Sequence, residues 1–258
     1  MQLDDKVAVI TGGTRGIGLG LAKAFLDEGA KVLITSRSEE KGAAALAELG
    51  RGQSAVFVSS DVSDRGSIDA VIEAAVERFG QLDILVNNAG GAEEFAPVAQ
   101  MADEVWDRVM VMNLSSAFWA SRKALQHMVP RGTGRIINMS SVEGKHGKPG
   151  LVHYVAAKHG LNGLTKGLSK EVGGLGITVN ALCPGLVITD LVEQSVGLAA
   201  SATGLSAEQL LSQYSAEAAI GRPNTVEEVA ALAVLVASDA GSGITGALLS
   251  VDGGTAAY

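Results

Sequence analysis

The chain has 258 residues, with 20 Lys and Arg against 28 Asp and Glu, for a formal net charge of −8. That acidic balance, with no local block of Lys or Arg, speaks against nucleic acid or an anionic membrane surface as partner. Apolar residues at 47% and charged residues at 19% exclude a disordered tail or a coiled coil, and the lone Cys183 excludes an internal disulfide or a cysteine zinc cluster.

In chain order, strands are expected at 6–12, 31–36, 55–59, 82–87, 134–140, 176–182 and 246–251. They are short β-branched runs, apolar on both faces, as strands covered on both sides must be. Between them, amphipathic stretches predict helices at 16–28, 39–50, 64–80, 103–129, 154–172 and 225–238. Strands alternating with helices imply right-handed crossovers and an α/β fold, a doubly wound, seven-stranded parallel sheet with helices on both faces. With no linker, charge block or internal repeat, residues 1–258 are expected to form a single domain. Residues 186–222 break the alternation and are expected to form a flap carrying one or two short helices over a substrate. No apolar run reaches the roughly 18 residues of a membrane span, and Asp4 and Asp5 stand where a secretion signal carries basic residues. A soluble cytoplasmic protein is expected.

The first strand runs into Thr11-Gly12-Gly13-Thr14-Arg15-Gly16-Ile17-Gly18, and a helical pattern follows. Gly12, Gly16 and Gly18 suit a tight turn whose backbone N–H groups reach a pyrophosphate at a helix N-terminus, the Rossmann-type arrangement. A plain strand-to-helix turn is the alternative. No Gly-Lys-Ser/Thr ending follows, which argues against a nucleoside-triphosphate loop. The second strand ends Thr35-Ser36-Arg37, without the carboxylate that binds a ribose 2′-hydroxyl in NAD sites. Arg15, Ser36 and Arg37 suit a 2′-phosphate instead, pointing to NADP(H) rather than NAD(H), unless the two arginines are ordinary surface residues.

Tyr154 and Lys158 are four residues apart, so on a helix they share a face. An ammonium beside a phenol favours phenolate, which suits proton exchange with a carbonyl or alcohol oxygen. With Ser141 ahead of them, and with Asp61-Val62, Asn87-Asn88-Ala89-Gly90, Asn113, Pro184-Gly185 and Val251-Asp252-Gly253-Gly254 in order along the chain, the sequence resembles the short-chain dehydrogenase/reductase superfamily over nearly its whole length. The resemblance implies that Tyr154 is the general acid/base and that Lys158 lowers its pKa and binds the nicotinamide ribose. Ser141, rather than its neighbour Ser140, would orient the substrate carbonyl, and Asn113 would hold a relay water. It further implies cofactor contacts from Gly12, Thr14, Arg15, Gly16, Ile17 and Gly18 and from Ser36 and Arg37. Asp61 and Val62 would lie at the adenine, and Asn88, Ala89 and Gly90 beside the cofactor. Pro184, Gly185, Val187 and Thr189 would flank the nicotinamide. No metal is needed, and His127, His146, His153 and His159 lack metal-ligand spacing.

Substrate choice is expected from 91–98, 142–153 and the flap. Glu143, Lys145, His146, Lys148 and His153 form a polar rim that either attracts an anionic substrate or is a solvated loop. Leu186, Leu191, Val192, Val196, Leu198 and Leu205 either cover an apolar substrate or pack the flap on its own subunit. Arg131-Gly-Thr-Gly-Arg-Ile-Ile-Asn138 and the terminal Tyr258 are similar to 3-oxoacyl-thioester and polyketide ketoreductases, whereas the flap length is similar to hydroxybutyrate dehydrogenases, which use NAD. Residues 171–176 lack the basic residue that carrier-protein reductases use for docking, so a free ketone or secondary alcohol is as well supported as a carrier-bound one. The resemblance also implies a homotetramer built on the helices at 103–129 and 154–172, and it leaves a catabolic alcohol dehydrogenase or a cofactor-sensing protein as alternative readings.

Overall fold

A computed structural model describes residues 1–256. The strands are β1 (Val7–Ile10), β2 (Lys31–Ser36), β3 (Ala55–Ser59), β4 (Ile84–Asn87), β5 (Gly134–Met139), β6 (Ile177–Pro184) and β7 (Leu248–Val251). They form one seven-stranded sheet in the order β3-β2-β1-β4-β5-β6-β7, with every pairing parallel. The Rossmann-type doubly wound sheet expected from the sequence is therefore present. Its order reverses between β1 and β4, and ligand crevices open at the C-terminal ends of strands flanking such a switch point.

The period-two alternation of the strands divides the core. Ala8 and Ile10 of β1, Ile34 of β2 and Val86 of β4 face one side, packed under α1 (Gly16–Asp27), α2 (Glu39–Leu49) and α9 (Val226–Ala237). Val9, Leu33 and Leu85 face the other, under α3 (Arg65–Phe79), α5 (Ser116–Arg131) and α6 (Val152–Val172). Side chains of this size each contribute roughly 1.5–3 kcal/mol when fully buried, so both faces hold the sheet edge rigid beneath the site. Arg131, in the segment shared with ketoreductases, ties the end of α5 to β4. Its guanidinium donates to Leu82 O at 2.8 Å and to Asp83 Oδ1 at 2.7 Å, and Asp83 Oδ2 also accepts from Val7 N.

Two features differ from the sequence expectation. The helix expected at 103–129 is α4 (Asp103–Met110), a π turn at Val111–Ser115, and then α5. Strand 6–12 is shorter, ending at Ile10, and the Thr11 hydroxyl braces the following turn, accepting from Asn88 N and Ala89 N. The flap carries two helices, α7 (Asp190–Thr203) and α8 (Ala207–Glu217), capped by Thr189 and by a Ser206–Gln209 capping box. Val196, Ala199 and Leu210 give it a small core of its own, against which Phe95, Leu205 and Tyr214 pack. Among the described residues, no helix is long and apolar enough to cross a membrane.

Candidate active site

The glycine turn is locked from both sides. Gly12 and Gly16 adopt φ of 64° and 52°, in the left-handed region that a side chain strains. A Cβ on Gly18 would lie 2.4 Å from Gly12 O, so α1 approaches the turn as closely as backbone allows. The Asn88 amide donates to Thr11 O at 2.9 Å and Gly12 O at 3.1 Å. Asn88, expected at the cofactor, thus lines the cleft while its amide braces the loop. Arg15 at the N-cap of α1 makes no capping bond through its side chain, and no acidic residue stands in the first turn. The helix N-terminus is left to favour an anion.

From this turn a cleft of about 550 Å³ runs in both directions. At one end it is lined by Arg15, Ser36, Arg37 and Lys41, with Asp61 and Val62 on the facing wall. Lys41 was not singled out in the sequence; its signal was a basic residue in the first turn of α2, brought beside Arg37 by the Ser38 cap on Lys41 N. Thr14, Ile17, Ala89 and Gly90 line the middle, and Tyr154, Lys158, Pro184 and Thr189 the far end. Gly185 and Val187 line a second cavity instead. Gly185 is pressed against Asp252, where a Cβ would meet Asp252 Cα at 2.9 Å, and Val187 belongs to the core.

The second cavity, about 230 Å³, meets the first at Tyr154, Ser140, Ile17, Pro184 and Thr189. Ser141 lines it, and the Ser141 hydroxyl donates to the Glu143 carboxylate and accepts from Glu143 N at 3.3 Å. Ser140 Oγ is buried without a hydrogen-bond partner among the described residues. Lys158 lies one turn beyond Tyr154 on α6, with Nζ 5.3 Å from the phenol ring centroid and donating to Met139 O at 2.7 Å. Burial lowers its pKa to about 8, against the opposing pull of negative charge that includes Glu143. Tyr154 departs from the sequence expectation. Desolvation, followed by the Glu143 charge, pushes the phenol above its usual range, and the nearby Ser141 hydroxyl offsets this only in part. Burial thus disfavours the phenolate in this site.

Asn113 sits on the π turn. Such a turn moves backbone bonding out of its i→i−4 register, and the Asn113 amide supplies a donor to Val109 O at 2.8 Å. The same side chain pairs with Gly91 in both directions, donating to its carbonyl and accepting from its N–H. Asn113 thus fastens the loop after β4 beside Lys158; a Cβ on Gly90 would touch both residues.

The polar rim separates into different roles. Glu143 and Lys148 line the second cavity, whereas Lys145 donates to Ser250 Oγ. His153 is not a rim residue. It is fully buried with Nε2 2.6 Å from Ala92 O, because α6 begins at Val152 and its first turn points His153 inward. Leu186, Val192, Val196 and Leu198 line the cavity with Phe95 and Leu151, and Leu205 packs within the flap. The Leu191 side chain and Tyr258 lie outside the described residues.

Comparison with known proteins identifies the family. The profile of the short chain dehydrogenase family matches residues 6–197. The chain is 38% identical to the 3-oxoacyl-[acyl-carrier-protein] reductase FabG of Chlamydia muridarum over 98% of both chains. It is also 38% identical to D-beta-hydroxybutyrate dehydrogenase of Cupriavidus necator, again over 98% of both. Among solved structures, a variant of actinorhodin polyketide ketoreductase with NADPH superposes with a TM-score of 0.94 at 37% identity, covering 100% of this chain and 99% of that one. The chain belongs to the short chain dehydrogenase family and is an oxidoreductase.

Proposed function

We propose that the protein is an NADP(H)-dependent ketoreductase that interconverts a ketone and a secondary alcohol. The observation that carries this reading is the junction of the two cavities at Tyr154, with Ser141 on the substrate side and Lys158 on the cofactor side. The glycine cradle, the open N-terminus of α1 and the Arg15, Arg37 and Lys41 cluster fit a dinucleotide carrying a 2′-phosphate, because the end of β2 offers cations and a hydroxyl but no carboxylate. When bound, the nicotinamide supplies or accepts the hydride.

The protein's own groups do the rest. Tyr154 donates a proton to the carbonyl oxygen as negative charge develops there. Ser141 donates a second hydrogen bond and sets the carbonyl's orientation. Lys158 places positive charge behind the phenol and binds the ribose, while Asn113 keeps the Gly90–Gly91 wall in register. Asp61 and Val62 would border the adenine, and Pro184 and Thr189, which line the cleft, would flank the nicotinamide.

The likeness to actinorhodin polyketide ketoreductase supports a neutral ketone, free or thioester-bound, as substrate. A second reading, an NAD(H)-linked 3-hydroxy acid dehydrogenase, draws on the 38% identity to the hydroxybutyrate enzyme. We extend the proposal to a cytoplasmic homotetramer. Phe118 and Val129 on α5 are exposed, and Gly163 and Gly167 on α6 face open space, which suits close helix approach between copies.

Turnover of β-ketoesters, cyclic ketones and acetoacetyl thioesters with NADPH against NADH tests the reading. Reduction with NADPH preferred by at least about ten-fold is expected, and preference for NADH with acetoacetate would replace it by the second reading.

A further inference from the structure

The second cavity is apolar through most of its lining, yet among the described residues its charged groups are three carboxylates, Glu94, Glu143 and Glu217, and one ammonium, Lys148. That ammonium is already engaged. Its Nζ sits 3.7 Å from the Tyr214 ring centroid and 3.9 Å from both Glu143 and Glu217, a shared position too long for a hydrogen bond to either. Glu143 is the carboxylate nearest the chemistry. Its side chain is 15% exposed, it accepts a hydrogen bond from the Ser141 hydroxyl, and its charge acts on both Tyr154 and Lys158.

We propose that Glu143 makes this cavity selective for neutral or cationic ketones that carry a hydrogen-bond donor close to the reacting carbon, and selective against carboxylates. The inference rests on the ketoreductase reading for the position of the carbonyl, beside Ser141 and Tyr154. A ketone oxygen there needs the one O–H that Ser141 now gives to Glu143. A substrate hydroxyl or ammonium on a carbon next to the carbonyl, or one bond further, engages the Glu143 carboxylate in its place and releases the Ser141 proton to the carbonyl oxygen. The donor therefore improves the chemical step as well as binding. A substrate carboxylate meets like charge in a cavity whose lining is mostly apolar, and the single ammonium is held between Glu143 and Glu217.

Two inert probes of equal length, hexylammonium and hexanoate, test the selectivity without turnover. Titrated calorimetrically into the protein, hexylammonium is expected to bind at least about ten-fold more tightly than hexanoate. Glu143→Gln, of the same shape and checked for an unchanged melting temperature, is expected to bring the two within about three-fold, and Glu217→Gln at the exposed rim to move the ratio less. Hexanoate binding as tightly as hexylammonium, failure of hexylammonium to bind, or a ratio unmoved by Glu143→Gln would each overturn the inference. Steady-state rates on a matched neutral, hydroxyl-bearing, ammonium-bearing and carboxylate-bearing ketone then separate the two claims. Reduction with the carboxylate favoured overturns the selectivity alone. Probe binding in the expected order with no ketone reduced overturns the ketoreductase reading alone.

Discussion

Tyr154→Phe is expected to lower kcat for ketone reduction by about 10³-fold or more while leaving NADPH affinity within about three-fold of wild type. The substitution removes one oxygen at the junction of the two cavities, and it leaves α6 and the cleft walls in place. General acid catalysis contributes on the order of 10²–10⁴-fold, and a preorganised donor at a developing oxyanion adds to it. Ser141 does not take over the proton transfer, because an alcohol hydroxyl is a far weaker acid than a phenol and can only hydrogen-bond the oxygen. The measurement is paired: steady-state rates with a neutral ketone, and NADPH binding by fluorescence titration. A rate near wild type would remove Tyr154 from its assigned role. Lost NADPH affinity would make it a cofactor-binding residue instead.

Arg37→Asp is expected to reverse cofactor preference, lowering kcat/KM for NADPH by about 10²-fold with little change for NADH. Arg37 is exposed at the mouth of the cleft, beside Arg15 and Lys41, and no acidic residue at the end of β2 competes with it. Charge-assisted hydrogen bonds contribute about 1.5–3 kcal/mol, and an aspartate adds repulsion toward a 2′-phosphate while offering an acceptor to a free 2′-hydroxyl. Arg15 and Lys41 remain in the variant, so the loss should be large but incomplete. Initial rates with both cofactors at one ketone concentration give the ratio directly. An unchanged NADPH preference would leave Arg37 an ordinary surface residue.

Much of this architecture was legible in the sequence because burial on both faces gives strands such as Lys31–Ser36 a continuous apolar centre, here Val32-Leu33-Ile34, and the structure places β2 at that span. The π turn was not legible. Shifting a hydrogen bond by one residue leaves the apolar pattern of 103–129 intact, and only the need of Val109 O and Gly91 for a polar partner at Asn113 reveals it. His153 misled for a related reason. Its neighbours read as a polar loop, and the helix start that turns it toward Ala92 O depends on tertiary packing. The glycine turn, Tyr154 and Lys158 were readable because each demands a residue type that few others replace. Glu143 was visible as a rim charge, but its bond to Ser141 depends on the short turn that follows β5, in which Gly144 N closes back on Ser141 O. Lys41 illustrates the same limit, since its place beside Arg37 follows from the capping of α2 rather than from sequence spacing.

The most direct measurement is the stoichiometry of turnover, with NADPH consumption followed by absorbance and the secondary alcohol formed from a neutral ketone quantified in the same reaction. One alcohol per NADPH, absent in Tyr154→Phe, is the expected result. NADPH consumed without alcohol, or alcohol formed equally well by the Phe variant, would contradict a ketone reduced at the junction of the two cavities.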